Sequence, residues 1–132
     1  MRTELLPLSE ANIWMGCVLT YGHFSTIHPG HIRYLHHARS LGDQLVVALV
    51  GDEGGRSYSF NQRERAEALS LLGLADGVLL LKADELSDAI HKLQPTALVL
   101  GTEFQKQPGI QTSLNIQRNQ GGSVHFHAGE VH

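Results

Sequence analysis

The chemistry in this chain is concentrated in residues 21–31, YGHFSTIHPGH, which hold His23, His28 and His31. In His28-Pro29-Gly30-His31, two imidazoles flank a turn that Pro29 stiffens and in which Gly30 lets backbone approach a ligand closely. Their N–H groups can point into one pocket, an arrangement suited to an oxyanion such as phosphate; the alternative is a turn whose histidines are satisfied locally. Neither G-x-x-x-x-G-K-[ST] nor G-x-G-x-x-G is present, so a phosphate here is not held by a common glycine code. Arg63 is a second candidate. A cation in the first turn of a helix is disfavoured by the dipole by roughly a few tenths of a kcal/mol. A bound anion would offset that, or Glu64 or Glu67 would neutralise it. His36 and His37 fit the surface or packing face of a helix, and His125 and His127 share one face of a strand. Two imidazoles so placed suit a metal, but no third ligand accompanies them in sequence and no metal is assigned.

These groups need a frame. Residues 17–22, 45–52, 77–82 and 96–101 are short apolar runs without alternation, as expected of strands covered on both faces. Helical periodicity separates them: Ile32, Leu35, Ala38 and Leu41 up to Gly42; Leu69 and Leu72 up to Gly73; Leu86, Ala89, Ile90 and Leu93 before Pro95. Asn61 with Glu64, and Asp84, are expected N-caps. A further helix is expected over 108–120, opened by Pro108, and residues 123–127 alternate like a final half-exposed strand. The order β-α-β-α-β-α-β-α-β predicts an α/β fold, a Rossmann-like doubly wound open parallel sheet of about five strands with flanking helices. Ligands are then expected at the carboxyl ends of the strands, near the switch point. The histidine loop falls there, at a helix N-terminus that favours anions.

With 132 residues the chain is expected to form one domain over 1–132, with 1–15 as an N-terminal extension. Hydrophobic residues make up 42% and charged residues 17%, and the net charge of −3 offers no basic face for nucleic acid. A mononucleotide needs only a local cluster of positive groups. The single cysteine, Cys17, lies in an apolar run and reads as core, which removes disulfides and thiolate metal cages and fits a reducing, cytoplasmic compartment. No run approaches the ~20 apolar residues of a membrane span, and the N-terminus lacks the order of a signal peptide.

The stretch TYGHFSTIHPGHIRYLHHARSLGDQLVVALVGDE, continued by NQRERAEALSLLGLADGVLL and LVLGTEF, resembles the cytidylyltransferase-like nucleotidyltransferases of the H-x-G-H superfamily over residues 16–127. It is similar in particular to the glycerol-3-phosphate cytidylyltransferases and to the adenylyltransferase domains of the ADP-heptose pathway. The resemblance implies that His28 and His31 stabilise charge on the reacting phosphates, that Arg63 reaches those phosphates, and that His23, Phe24 and Gly30 lie against the nucleotide. It implies further that Lys82 touches the acceptor and that Gly101, Thr102, Glu103 and Phe104 close around the base. The implied reaction is transfer of CMP from CTP to a phosphorylated alcohol, polyol or sugar with release of pyrophosphate. The alternatives are adenylyl transfer from ATP to a sugar phosphate, or nucleotide binding without turnover inside a larger protein. Mg2+ bound through the nucleotide phosphates is the implied cofactor, and a homodimer the implied assembly.

Three departures accompany the resemblance. Ser25 stands where the family usually has aspartate. The loop between Asp52 and Arg63 is short, with Arg56 as its one cation before Arg63, either a phosphate ligand or a solvated loop residue. The family's closing motif, an arginine followed by a serine-threonine-threonine run, does not occur before His132, which leads us to expect a piece of a longer polypeptide.

Overall fold

The computed structural model describes residues 3–24, 29–51, 60–82 and 84–127, with the side chain of Glu103 left out. Among these residues six strands form one sheet: β1 (Glu4–Pro7), β2 (Val18–Gly22), β3 (Leu45–Leu49), β4 (Gly77–Leu80), β5 (Ala97–Gly101) and β6 (Ser123–His127). Four helices connect them: α1 (Pro29–Arg39), α2 (Gln62–Leu72), α3 (Leu86–Leu93) and α4 (Ile110–Asn119). All pairings are parallel and the order is β1-β4-β3-β2-β5-β6. The chain winds outward from β2 through β3 to β4, then returns to the other side of β2 for β5 and β6. The switch point is therefore the crevice between β2 and β5.

The strand count corrects the expected five. The segment read as an extension contributes β1, paired with β4 in register Glu4 to Gly77, and a 3-10 helix, Leu8–Trp14, which buries Ala11 and Trp14. Its apolar run, Leu5-Leu6, is too short and too quickly ended by Pro7 to show a period. The pairing brings the Trp14 ring over Gly77, where any Cβ would overlap it. Only glycine permits that approach.

β3 and β5 are buried along their whole length, which is why their sequences show no alternation. One face of the sheet packs Trp14, Leu19, Leu98 and Leu100 against Ile90 and Leu93 of α3 and Leu114 of α4. The other packs Val47, Leu49 and Val99 against Leu35 and Ala38 of α1 and Leu69 of α2. Ile90 and Leu93 are fully buried, and each contributes about 1.5–3 kcal/mol relative to exposure. Cys17 belongs to this core, and burial pushes its thiol pKa up to about 12.

The helix ends follow the expected signals in part. Asn61 and Glu64 form a reciprocal capping box on α2, and Gly73 ends that helix in a left-handed conformation. Asp84 is not the cap of α3: it sits at φ 62°, and Glu85 takes the N-cap position without a side-chain cap. The Glu85 carboxylate instead accepts the Lys82 backbone N–H at 2.6 Å. α4 starts at Ile110 rather than Pro108, with Gly109 (φ 85°) before it. No helix among the described residues is long and apolar enough to cross a membrane.

Candidate functional site

The carboxyl end of β2 feeds directly into the site. Gly22 ends the strand, and Phe24 follows at φ 49° with its ring folded back, so that a Cβ on Gly22 would stand 2.9 Å from the Phe24 ring. α1 then begins at Pro29. Gly30 is buried, His31 is half-buried in the first turn, and its ring lies 5.3 Å from that of Phe24. No acidic residue occupies this first turn, so nothing there opposes the positive end of the helix dipole.

On the β5 side, Gly101 is buried, Thr102 is exposed, and the 3-10 helix Thr102–Phe104 turns Phe104 into the core at 1% exposure. The His23 ring stacks on Phe104 at 5.8 Å and 19°, and the Tyr21 ring meets Phe104 at 5.1 Å. Phe104 thus backs His23 and Tyr21 from below, and His23 is the ring left half-buried at the surface of this stack. The structure brings His23, Phe24, Gly30, His31, Gly101, Thr102 and Phe104 together around the switch point. His28, Ser25 and Arg56 lie outside the described residues, as does the side chain of Glu103.

The arginine that sequence reasoning selected is not the one at this cluster. Arg63 is exposed and lines a groove with Thr3, Glu4, Leu5 and Leu6. That groove follows β1, three strand spacings or about 14 Å across the sheet from β2. Glu64 is occupied by the capping box. Arg65, at 2% exposure, turns inward instead. Its Nη1 donates to the His23 carbonyl (2.7 Å), Nη2 to that of Val50 (3.0 Å) and Nε to that of Phe60 (3.2 Å). One planar fork thereby fixes the backbone leaving β2, the backbone leaving β3 and the entry to α2. A signal was available: Arg65 shares the apolar stripe of Ala66 and Leu69, where a charge must have a partner.

Lys82 is exposed just beyond β4, on the same edge of the sheet and two spacings, roughly 10 Å, from β2. Beside it, on the α3–α4 face, opens a cleft of about 190 Å³ lined by Tyr21, Asp84, Leu86, Ser87, Ile110 and Ser113, with Pro108 and Gly109 at its side. The Ser87 and Ser113 hydroxyls are hydrogen-bonded at 2.7 Å.

Three further histidines meet at the opposite flank. His37 of α1 stands 5.0 Å from His127 and 6.5 Å from His125 of β6, ring to ring, while His125 Nε2 pairs with the Ser123 hydroxyl at 2.8 Å. Burial, and then the neighbouring His37, push the His127 pKa below its ordinary value. Among the described residues no group of three or more His, Cys, Asp or Glu side chains is placed to hold a metal ion.

A family model described as cytidylyltransferase-like matches residues 19–121, most of the sheet and all four helices. The chain belongs to the cytidylyltransferase-like family. Among its cytidylyltransferase-like relatives, the bifunctional protein HldE of Hyphomonas neptunium is 34% identical over 137 aligned positions, covering 93% of this chain and 28% of HldE. HldE of Campylobacter curvus is 40% identical over 103 positions, covering 74% of the chain and 22% of that protein. The chain therefore spans less than a third of the length of these relatives. The FAD synthase of Picrophilus torridus is 30% identical, with 64% of this chain and 63% of that protein aligned. Among solved structures, a lipopolysaccharide core biosynthesis protein from Thermoplasma volcanium superposes with a TM-score of 0.72 at 26% identity, covering 86% of this chain and 96% of its own. The cytidylyltransferase-like match begins at Leu19 and ends at Gly121, so the two edge strands, β1 and β6, lie outside it.

Proposed function

We propose that this chain is an adenylyltransferase, moving AMP from ATP to the phosphate of a small phosphorylated alcohol or sugar. The observation that carries the reading is the position of His31: in the acid-free first turn of α1, at the switch point, beside the His23–Phe104 stack. An oxygen of the acceptor phosphate attacks the α-phosphorus of the nucleotide. The bond to the bridging oxygen breaks, and pyrophosphate leaves with the electron pair. An ionised phosphate needs no general base, so the protein's task is positioning and charge stabilisation. His31, with His28, donates N–H groups to the phosphoryl oxygens, and the helix N-terminus adds to the same field. Mg2+ on the nucleotide phosphates would neutralise charge as pyrophosphate departs.

Adenine is preferred over the cytosine expected from sequence because the relatives support it. The name FAD synthase describes a product that contains adenylate, and the HldE matches accord with the sequence likeness to the adenylyltransferase domains of the ADP-heptose pathway. Calorimetric titration with ATP, CTP, GTP and UTP in magnesium tests this, together with pyrophosphate release in the presence of sugar phosphates. ATP is expected to bind at least about tenfold more tightly than CTP, and His31→Ala to lower kcat by about 10²–10³. Preference for CTP would restore the cytidylyl reading. Binding of none of the four would overturn the assignment of the site.

A further inference from the structure

Resting on that transfer reaction, we infer that the cleft between α3 and α4 receives the uncharged, hydroxyl-bearing part of the acceptor. Its occupant is one sugar ring or a short polyol, with Asp84, Ser87 and Ser113 as the groups that read it.

The location comes first. Tyr21 lines the cleft and also packs on Phe104, the ring that carries His23, so the cleft opens from the same β2–β5 crevice as the nucleotide site. The two lie on opposite faces of the sheet: α1 and its first turn on one, the cleft between α3 and α4 on the other. A ligand reaching over the ends of β2 and β5 would touch both.

The lining then decides the chemistry. Among the described residues no Lys, Arg or His contributes to the wall, and the charged group there is the Asp84 carboxylate. A phosphate seated there would meet like charge, so the phosphate of the acceptor belongs nearer α1 and Lys82 while its carbon skeleton enters the cleft. Ser87 and Ser113 spend one donor and one acceptor on each other, which leaves one donor and three acceptor sites of the pair for a ligand. Asp84 adds an acceptor held at the end of a turn whose Glu85 carboxylate and backbone N–H both bond to Lys82. These are partners for several hydroxyls. Leu86 and Ile110 supply the apolar walls on which the C–H face of a sugar rests.

Size narrows the class. At about 190 Å³ the cleft is below the roughly 300–1,000 Å³ of pockets for drug-sized ligands. That size suits a single ring better than a fused three-ring flavin, the acceptor implied by the FAD synthase relative.

The test uses the whole chain without nucleotide and measures binding of glucose 1-phosphate, inorganic phosphate and FMN by calorimetry. ATP binding is measured separately. Glucose 1-phosphate is expected to bind about tenfold or more tightly than inorganic phosphate. Asp84→Asn, which keeps a residue that tolerates the left-handed backbone, and Ser113→Ala are each expected to shrink that advantage about three- to tenfold. Neither is expected to move the affinity for inorganic phosphate or ATP, which a general loss of structure would move. Equal binding of glucose 1-phosphate and phosphate, stronger binding of FMN than of the sugar phosphate, or variants that leave the advantage intact would each overturn the inference. Loss of ATP binding in the unmodified chain would instead overturn the nucleotidyl reading, whatever the sugar phosphate does.

Discussion

The two ends of the sheet are held by different means. At the amino end, four strands are entered through backbone bonds that prolong the ladder: Val18 N–H to Gln44 (2.8 Å), Asp76 to Leu45 (2.8 Å), Thr96 to Cys17 (2.9 Å) and Ser123 to Thr96 (3.1 Å), while the Asp76 carboxylate accepts the Leu45 N–H (2.8 Å) and Gln117 Nε2 donates to Pro95 and Ser123. At the carboxyl end the ladder gives out after Val50 to Gly22 and Leu81 to Leu49, and long side chains take over. Gln62 Nε2 donates to Leu49 and Leu81, Tyr34 Oη to Val99 (2.6 Å), and Arg65 to His23, Val50 and Phe60. Donors from α1 and α2 thus satisfy backbone carbonyls in and just beyond the strands at this end. Backbone bonds dominate at the amino end, and at the carboxyl end the largest share of the work falls to two side chains, Gln62 and Arg65.

That contrast is most exposed at Arg65. Replacing it with Met strands three carbonyls in a buried place and is expected to cost about 3–5 kcal/mol in urea unfolding, with nucleotide binding lost before the fold. Arg39, its counterpart at the amino end, bonds Leu74 O and Asp76 at 3.0 Å each while partly exposed, so Arg39→Ala is expected to cost only about 1 kcal/mol. Equal costs for the two arginines would break the comparison. Gly77→Ala, at the amino end, forces the Trp14 ring aside and is expected to cost about 1–3 kcal/mol without altering ATP affinity. Asn61→Ala removes the cap of α2, the helix that carries Gln62 and Arg65, for about 1 kcal/mol by the same unfolding measurement.

The smallest expected effect is one of pH. Because His127 is held below its ordinary pKa, the unfolded chain binds the proton more readily than the folded one. Stability should fall as pH drops through the window below about 6.5, and His127→Gln should flatten that slope. Thermal unfolding between pH 5 and 8 reads it, and a slope unchanged in the variant would assign it to other groups.

Much of this architecture was legible because it is local. The capping box of α2 is four consecutive residues, and the buried strands announce themselves as unbroken apolar runs. The place of His31 in the first turn of α1 was legible too, since the residue and its helix adjoin in sequence. What escaped depends on distance. Arg65 finds its carbonyls 5, 15 and 42 residues away, so its place on the apolar stripe of α2 shows that it needs partners but not which ones. β1 shows its worth only beside β4, and the cleft exists only where α3 and α4 meet the end of β2. His37 was read as a surface or packing residue. It packs, but on two histidines from a strand nearly ninety positions later.

Trp14 is the only tryptophan in the chain and is 2% exposed, pressed over Gly77 at the amino end of β4. A strand of five residues separates that end from the crevice by about 16 Å. Its emission is therefore a native optical probe of whether residues 3–14 are docked, and it should stay silent when nucleotide fills the far end.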